Sequence, residues 1–337
     1  MDVGNLLQAI VWGISNGAVF ALIALGYTLV YGIIELINFA HGDVFMLGSF
    51  LSLSLLTALG LRSAVQARRA GWQSWQIYAV LALVLLAAML FCGLLNAAIE
   101  RLAYRPLRRA PRLAPLISAI GVSFMLINVG QLWKGPTHLS FPSLLPDQNI
   151  LTAWFHLPTR LSFTIKDLVV IGVAVPLMLG LGAFIQRTKL GKAMRATAQD
   201  REAAALMGIN IDLTISLTFL LGGALAGAGG LIYGLYVSDV HYQIGFRNGL
   251  IAFTAAVLGG IGNVRGAALG GFLIGLVASV SDLGFAAIFP ALSKTPVLSA
   301  LAGLDQKWTL VIIFSVLIVI LVFRPTGLLG EQVADKA

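Results

Sequence analysis

The chain has 337 residues, of which 58% are hydrophobic and 11% charged, with a formal net charge of +8. A soluble domain usually carries roughly 25% charged residues, so a water-soluble fold is excluded because it could not hide this much apolar surface. The positive charge lies in short loops between apolar runs rather than on one face, which argues against a nucleic-acid partner and for a lipid bilayer.

Crossing a ~30 Å hydrocarbon core takes about 20 helical residues. Runs approaching that length occur at residues 6–30, 44–61, 76–99, 113–133, 168–185, 213–236, 267–289 and 309–323, with a shorter Gly-rich ninth at 250–262. Period-2 alternation is lacking, which excludes a membrane barrel. The expected fold is therefore an all-α polytopic membrane protein of about eight or nine transmembrane helices, with broken or re-entrant Gly-rich segments, as a single domain over 1–337. The first run is too long for a signal peptide and has no basic residues before it, so it reads as mature protein. Cys92 is alone and sits inside an apolar run, where it reads as a small buried side chain and not as part of a disulfide framework or metal cluster.

Two basic clusters punctuate the runs: Arg101, Arg105, Arg108, Arg109 and Arg112, then Arg187, Lys189, Lys192, Arg195 and Arg201. Excess Lys and Arg in short loops marks the cytoplasmic side. Segment 134–166, rich in proline and poor in charge, is then extracytoplasmic, as is 290–307, and the tail 324–337 is cytoplasmic. Nine crossings put the N-terminus outside; eight put it inside. Arg62, Arg68 and Arg69 fall in a loop that this scheme places outside, against the rule.

The hydropathy is interrupted at Asn38-Phe39-Ala40-His41-Gly42-Asp43 and at Gly259-Gly260-Ile261-Gly262-Asn263-Val264-Arg265-Gly266. Irregular backbone at membrane depth is tolerated only against protein or a water-filled cavity, and paired interruptions point to an internal repeat with a pathway at its interface. Asn38, His41, Asp43, Gly259, Gly260 and Gly262 are thus candidates for the pathway or its gate. For the polar group the alternative is a cap at the cytoplasmic interface, with Asp43 starting a helix from Val44. No metal-ligand spacing accompanies His41. Small residues four apart, such as Gly13 and Gly17, Gly223 and Gly227, and Gly271 and Gly275, suit close helix packing.

Within the cytoplasmic segment 187–212, Asp200 is placed to cap a short helix, Glu202 to sit in its first turn, and Gly208 to end it. Such a helix between two spans fits a coupling element that takes a push from a separate motor; it equally fits a solvated juxtamembrane helix or a contact with anionic lipid.

At these residues the chain resembles the permease subunits of branched-chain amino acid ABC importers. The resemblance rests on Tyr31-Gly32 with Ile37-Asn38-Phe39-Ala40-His41-Gly42-Asp43, on Met194-Arg195-Ala196 through Leu206-Met207-Gly208-Ile209-Asn210, on Ala252-Phe253-Thr254 through Gly259-Gly260-Ile261-Gly262, and on Arg324-Pro325-Thr326-Gly327-Leu328-Leu329-Gly330. It implies a bacterial inner-membrane subunit that pairs with a second permease, homologous or identical, works with two ATP-binding cassette subunits, and receives substrate from a periplasmic binding protein. It makes Arg195, Asp200, Glu202, Leu206, Met207 and Gly208 the residues coupled to the ATPase. The best-known members carry Gly-Met where this chain has Glu35-Leu36, and the Arg-rich stretch at 62–74 matches no family motif. Related permeases serve urea or short amides, so the substrate class stays open.

No phosphate loop of the form Gly-x-x-x-x-Gly-Lys-Ser/Thr occurs in the chain, so no ATPase site is expected. A self-contained secondary transporter would need an intramembrane carboxylate for ion coupling, for which Glu35, Asp43 and Asp282 lie only near span ends. An intramembrane enzyme would need a nucleophile and base on one cavity, whereas His41, His138, His156 and His241 are scattered along the sequence. Neither a catalytic site, a metal site nor a cofactor is expected.

Overall fold

The computed structural model describes residues 3–35, 37–108, 110–111, 113–154, 161–284 and 308–330. Arg109, Arg112, His156, segment 290–307 and the tail beyond 330 lie outside the described residues. The apolar runs form helices with boundaries shifted by a few residues: α1 (Val3–Ile34), α2 (Ala40–Ala58), α4 (Ser74–Ile99), α5 (Leu113–Lys134), α7 (Ile165–Arg187), α10 (Ile211–Val237), α12 (Val264–Leu283) and α13 (Thr309–Phe323). The ninth run is α11 (Ile244–Gly259). Short helices α3 (Ala64–Arg69), α6 (Ile150–Ala153), α8 (Lys189–Gln199) and α9 (Arg201–Leu206) lie in connections. Among the described residues seven helices are long and apolar enough to cross a membrane, and α11 and α13 are shorter apolar helices. The run expected over 267–289 stops at Leu283, where Gly284 takes φ +84.

Polar side chains set the helix starts. Thr164 and Asp167 form a reciprocal capping box at α7, the Asn210 side chain accepts from the Leu213 amide at 3.0 Å to start α10, and Asn263 accepts from Arg265 and Gly266 to start α12. Beyond α4 the backbone widens into a π turn over Glu100–Tyr104 and then tightens into a 3₁₀ turn over Arg105–Leu107.

Hydrogen bonds sort the helix ends into two groups. At one end, called upper here, Gln8 exchanges two bonds with the Ser162 backbone at 2.9 and 2.7 Å, and β1 (Leu139–Ser140) pairs antiparallel with β2 (Asp239–Val240). At the lower end, Arg201 donates to the Ile33 carbonyl at 2.7 Å and the Leu329 amide to the Gly259 carbonyl at 3.0 Å. Nine apolar helices among the described residues therefore run between the two ends, with Val3 at the upper and Arg324 at the lower. The Gly-rich piece 259–266 does not re-enter; it is the lower-end turn between α11 and α12.

The packing repeats itself. Helix α1 lies on α12 as α10 lies on α4; α11 touches α1 and α12 as α2 touches α10 and α4; α13 adjoins α11 as α5 adjoins α2. Because α1 descends and α10 ascends, the two sets are an inverted repeat, the arrangement that places a pathway at the repeat interface. Helix order matches the break at 35–39 with that at 238–243, and the 59–73 connection with 260–263. The interruptions at 38–43 and 259–266, expected to correspond because both are dense in polar and Gly residues, are therefore not equivalent positions; composition is not what the symmetry conserves.

Glycines sit where the repeats meet. A Cβ on Gly17 would lie 2.7 Å from the Phe272 Cα, one on Gly13 2.8 Å from the Leu276 Cα, and one on Gly230 2.6 Å from the Phe45 carbonyl. Without a hydrophobic driving force between helices in lipid, such backbone approach is a main source of packing energy. The centre of the bundle is α1, α2 and α10, with 83%, 78% and 72% of their most apolar windows buried, against 22% for each of α5 and α7, which form its outer surface.

Candidate functional site

The polar segment after α1 lies inside the bundle. The His41 ring abuts Gly26, eight residues before the end of α1, which is about 12 Å above the lower end at 1.5 Å per residue. Helix α2 therefore begins inside the bundle, about a quarter of the way up α1. Its Gly42 rests against Gly245 and Gly249 in the first turns of α11, so the symmetry-related helix also begins inside the bundle, from the opposite direction. Two helix N-termini, each carrying a partial positive charge, meet at the centre of the repeat. The helix expected from Val44 starts earlier: α2 begins at Ala40, four residues before Val44, and Asp43 lies in its first turn, 1% exposed.

Around this crossing the polar groups are partly satisfied. Asp43 Oδ2 accepts from Ser123 Oγ of α5 at 2.5 Å. Asn38 donates to Asn96 Oδ1 at 3.3 Å and accepts from the Tyr104 hydroxyl at 2.7 Å, while Asn96 donates to the Phe219 carbonyl at 2.7 Å. Both His41 ring nitrogens, Asp43 Oδ1 and Asn248 Nδ2 are buried with no hydrogen-bond partner among the described residues. The rings of Tyr27 and His41 meet edge to face at 4.8 Å, and Tyr27 and Phe39 each pack on Phe253 at 6.0 and 6.2 Å, closing the crossing to a space of about 10 Å³ beside Tyr31, Ile37 and Ile261.

The glycines of the second segment are elsewhere. Gly260 and Gly262 have φ +106 and +92, which only glycine adopts without strain, and they form the lower-end turn. The terminal motif clasps that turn: the Leu328 amide donates to the Leu258 carbonyl at 2.9 Å and Asn263 Nδ2 to the Leu329 carbonyl at 2.7 Å. Gly259, Gly260 and Gly262 are thus brought together with Gly327 and Gly330, not with His41 and Asp43.

Below the crossing a cavity of about 560 Å³ opens at the lower end between Glu35, Tyr104, Arg108, Thr197, Arg201 and Glu202. Asp200 caps α9 by accepting from the amides of Glu202 and Ala203 at 2.9 and 3.0 Å, and Gly208, at φ +84, ends it with its amide bonded to the Ala205 carbonyl at 3.0 Å. The tip presents Leu206 and Met207, 88% and 83% exposed. Arg195 lines a smaller space under Thr28 and Gly262.

Glu100 escaped the sequence reading. It is fully buried in the π turn, paired with Arg108, and accepts from Ser216 Oγ at 2.5 Å; Arg108 also reaches Asp212 at 2.6 Å, and Arg105 pairs with the same carboxylate. What reads as a solvated basic loop is in part a closed ion network tying α4 to α10. Glu100, Tyr104 and Arg108 stand four apart in the sequence, but a stretch this rich in arginine reads as solvated, and the partner residues Asp212 and Ser216 lie more than a hundred positions away.

A model of the family described as "Branched-chain amino acid transport system / permease component" matches residues 9–321. The chain belongs to this family. The permease is 37% identical over 98% of its length to the high-affinity branched-chain amino acid transport system permease protein LivH of Escherichia coli, covering 97% of that protein. It is 38% identical over 99% of its length to BraD of Pseudomonas aeruginosa, again covering 99%. No solved structure matches it significantly. These likenesses make the permease a multi-pass membrane transport protein and agree with the resemblance carried by the motifs.

Proposed function

We propose that this permease is one of the membrane-spanning subunits of an ABC importer that carries branched-chain amino acids across the bacterial inner membrane. The observation that carries the reading is the end-to-end match to permeases named for that transport. On it, the basic lower end, with Arg101, Arg105, Arg187, Lys189, Lys192, Arg195 and Arg324, is cytoplasmic. A second permease, two ATP-binding subunits beneath and a periplasmic binding protein above complete the assembly.

Helix α9 supports the mechanistic half. Its exposed apolar tip fits a groove on a motor subunit, and α8 and α10 on either side convert a push on the tip into movement of spans. Arg201 ties the start of α9 to the last turn of α1, so the push reaches the helix that flanks His41. The aromatic crossing of Tyr27, Phe39 and Phe253 is the gate, and Asn38, His41 and Asp43 line it. A zwitterion with an apolar tail suits a path of this kind, with apolar rings and few polar groups.

The test is uptake of labelled leucine into proteoliposomes holding the permease with the partner subunits encoded beside it. ATP-dependent uptake is expected; uptake that persists without the ATP-binding subunits would remove the importer reading. Gly208→Val, which a φ of +84 does not accept, and Met207→Asp should each cut uptake more than roughly tenfold while the permease still inserts and folds. Unchanged uptake in both would sink the role given to α9.

A further inference from the structure

The upper end holds a cluster of a different chemical kind, built by the register of its short ladder. Leu139 pairs with Val240 and Ser140 with Asp239, so the next rung outward sets His138 opposite His241. Residues two apart on a strand share a face, which puts Asp239 beside His241. The result is two imidazoles and one carboxylate with a ligand atom from each lying within 4.8 Å of the others. His138 Nδ1 is 2.8 Å and His241 Nδ1 3.9 Å from Asp239 Oδ2, and the two rings are 4.2 Å apart.

We infer that His138, Asp239 and His241 bind a divalent transition-metal ion of the zinc class on the upper face of the permease. A tetrahedral ion with ligands at about 2.0–2.2 Å separates them by roughly 3.3–3.5 Å, a span that the observed distances bracket. Two nitrogens and one oxygen suit zinc rather than calcium or magnesium, which prefer all-oxygen shells, or copper(I), which prefers thiolates. Three protein ligands leave one position open, the pattern of a reversible site and not of a closed structural one. His241 Nδ1 is buried without a hydrogen-bond partner among the described residues. Burial, then the neighbouring His138, hold that imidazole below its usual range against the opposing pull of Asp239, which keeps a lone pair available. Arg247 faces the same group and opposes a cation, so the site is of moderate affinity.

The ion would bridge two separate parts of the chain. His138 follows α5, and Asp239 and His241 form the turn that precedes α11, the helix whose first turns lie against Gly42 and Asp43.

The test uses the full-length permease, free of any histidine tag, titrated with zinc chloride by calorimetry and with cobalt chloride by visible absorption. Saturable binding of one zinc per chain and a tetrahedral cobalt band are expected. His138→Ala and His241→Ala should each weaken zinc binding more than roughly tenfold, and Asp147→Asn, a change to another upper-end carboxylate, should not. Both histidine variants should keep the unfolding temperature of the metal-free parent and lose the zinc-induced rise. Absence of saturable binding to the parent, or binding unchanged in the double histidine variant, would overturn the site.

Discussion

At Glu35 the backbone turns with φ +56 just after α1, its amide still bonded to the Tyr31 carbonyl at 2.8 Å. A side chain with a Cβ pays roughly 1–2 kcal/mol for that left-handed geometry, and Glu35 is exposed, with no packing to offset it. The resemblance finds glycine at this position, which is what the turn requires. Glu35→Gly should therefore raise the unfolding midpoint, by about 1 kcal/mol in stability once the greater freedom of glycine in the unfolded chain is deducted. Thermal unfolding of the detergent-solubilised permease checks this. A lowered midpoint would mean that the carboxylate has a partner worth more than the strain.

Among elements, the same substitution should act with opposite sign at two helices. Gly275 of α12 lies on Gly17 and Gly13 of α1 with no room for a methyl group, whereas nothing lies within 4 Å of a methyl group on Gly180 of α7. Gly275→Ala must push α1 and α12 apart, costing about 1–3 kcal/mol as other overpacked sites do. Gly180→Ala gains helix propensity and should stabilise by roughly 0.5–1 kcal/mol. Paired denaturation curves decide the matter, and equal shifts would show that the α1–α12 crossing is looser than described. Spacing made these glycines visible in the sequence, as run length did the spans, because both are local properties of one helix. Depth was not visible. The polar group at 38–43 looks like the end of a run, since a hydropathy window cannot tell a helix that starts at the surface from one that starts inside the bundle. The closed network of Glu100, Arg108, Asp212 and Ser216 was hidden for a related reason: its members come from different helices, and a loop rich in arginine reads as solvated whatever faces it.

For the whole molecule, the proposed orientation rests on the charge pattern. Nine helices among the described residues place Val3 and Arg324 at opposite ends. With the basic lower end proposed as cytoplasmic, Arg62, Arg68 and Arg69, which the positive-inside rule would retain there, fall outside. Helix α3 shows how they are accommodated. Ser63 caps it by accepting from the Gln66 amide at 3.2 Å, and Arg68 and Arg69 occupy its last turn, where cations meet the negative end of the helix dipole. A bridge between Ser63 and Ser143 fastens this connection to the loop after α5. These arginines belong to an upper-end structure, and retention at the inner surface is outweighed by the greater number of basic residues at the other end. Single cysteines introduced in a Cys92→Ser background report the result directly. Val65→Cys, on the exposed face of α3, should react in intact cells with a maleimide that cannot cross the membrane, and Leu206→Cys at the tip of α9 should react only after the membrane is opened. The reverse pattern would invert the molecule and, with it, move the proposed motor contact and metal site to the wrong sides.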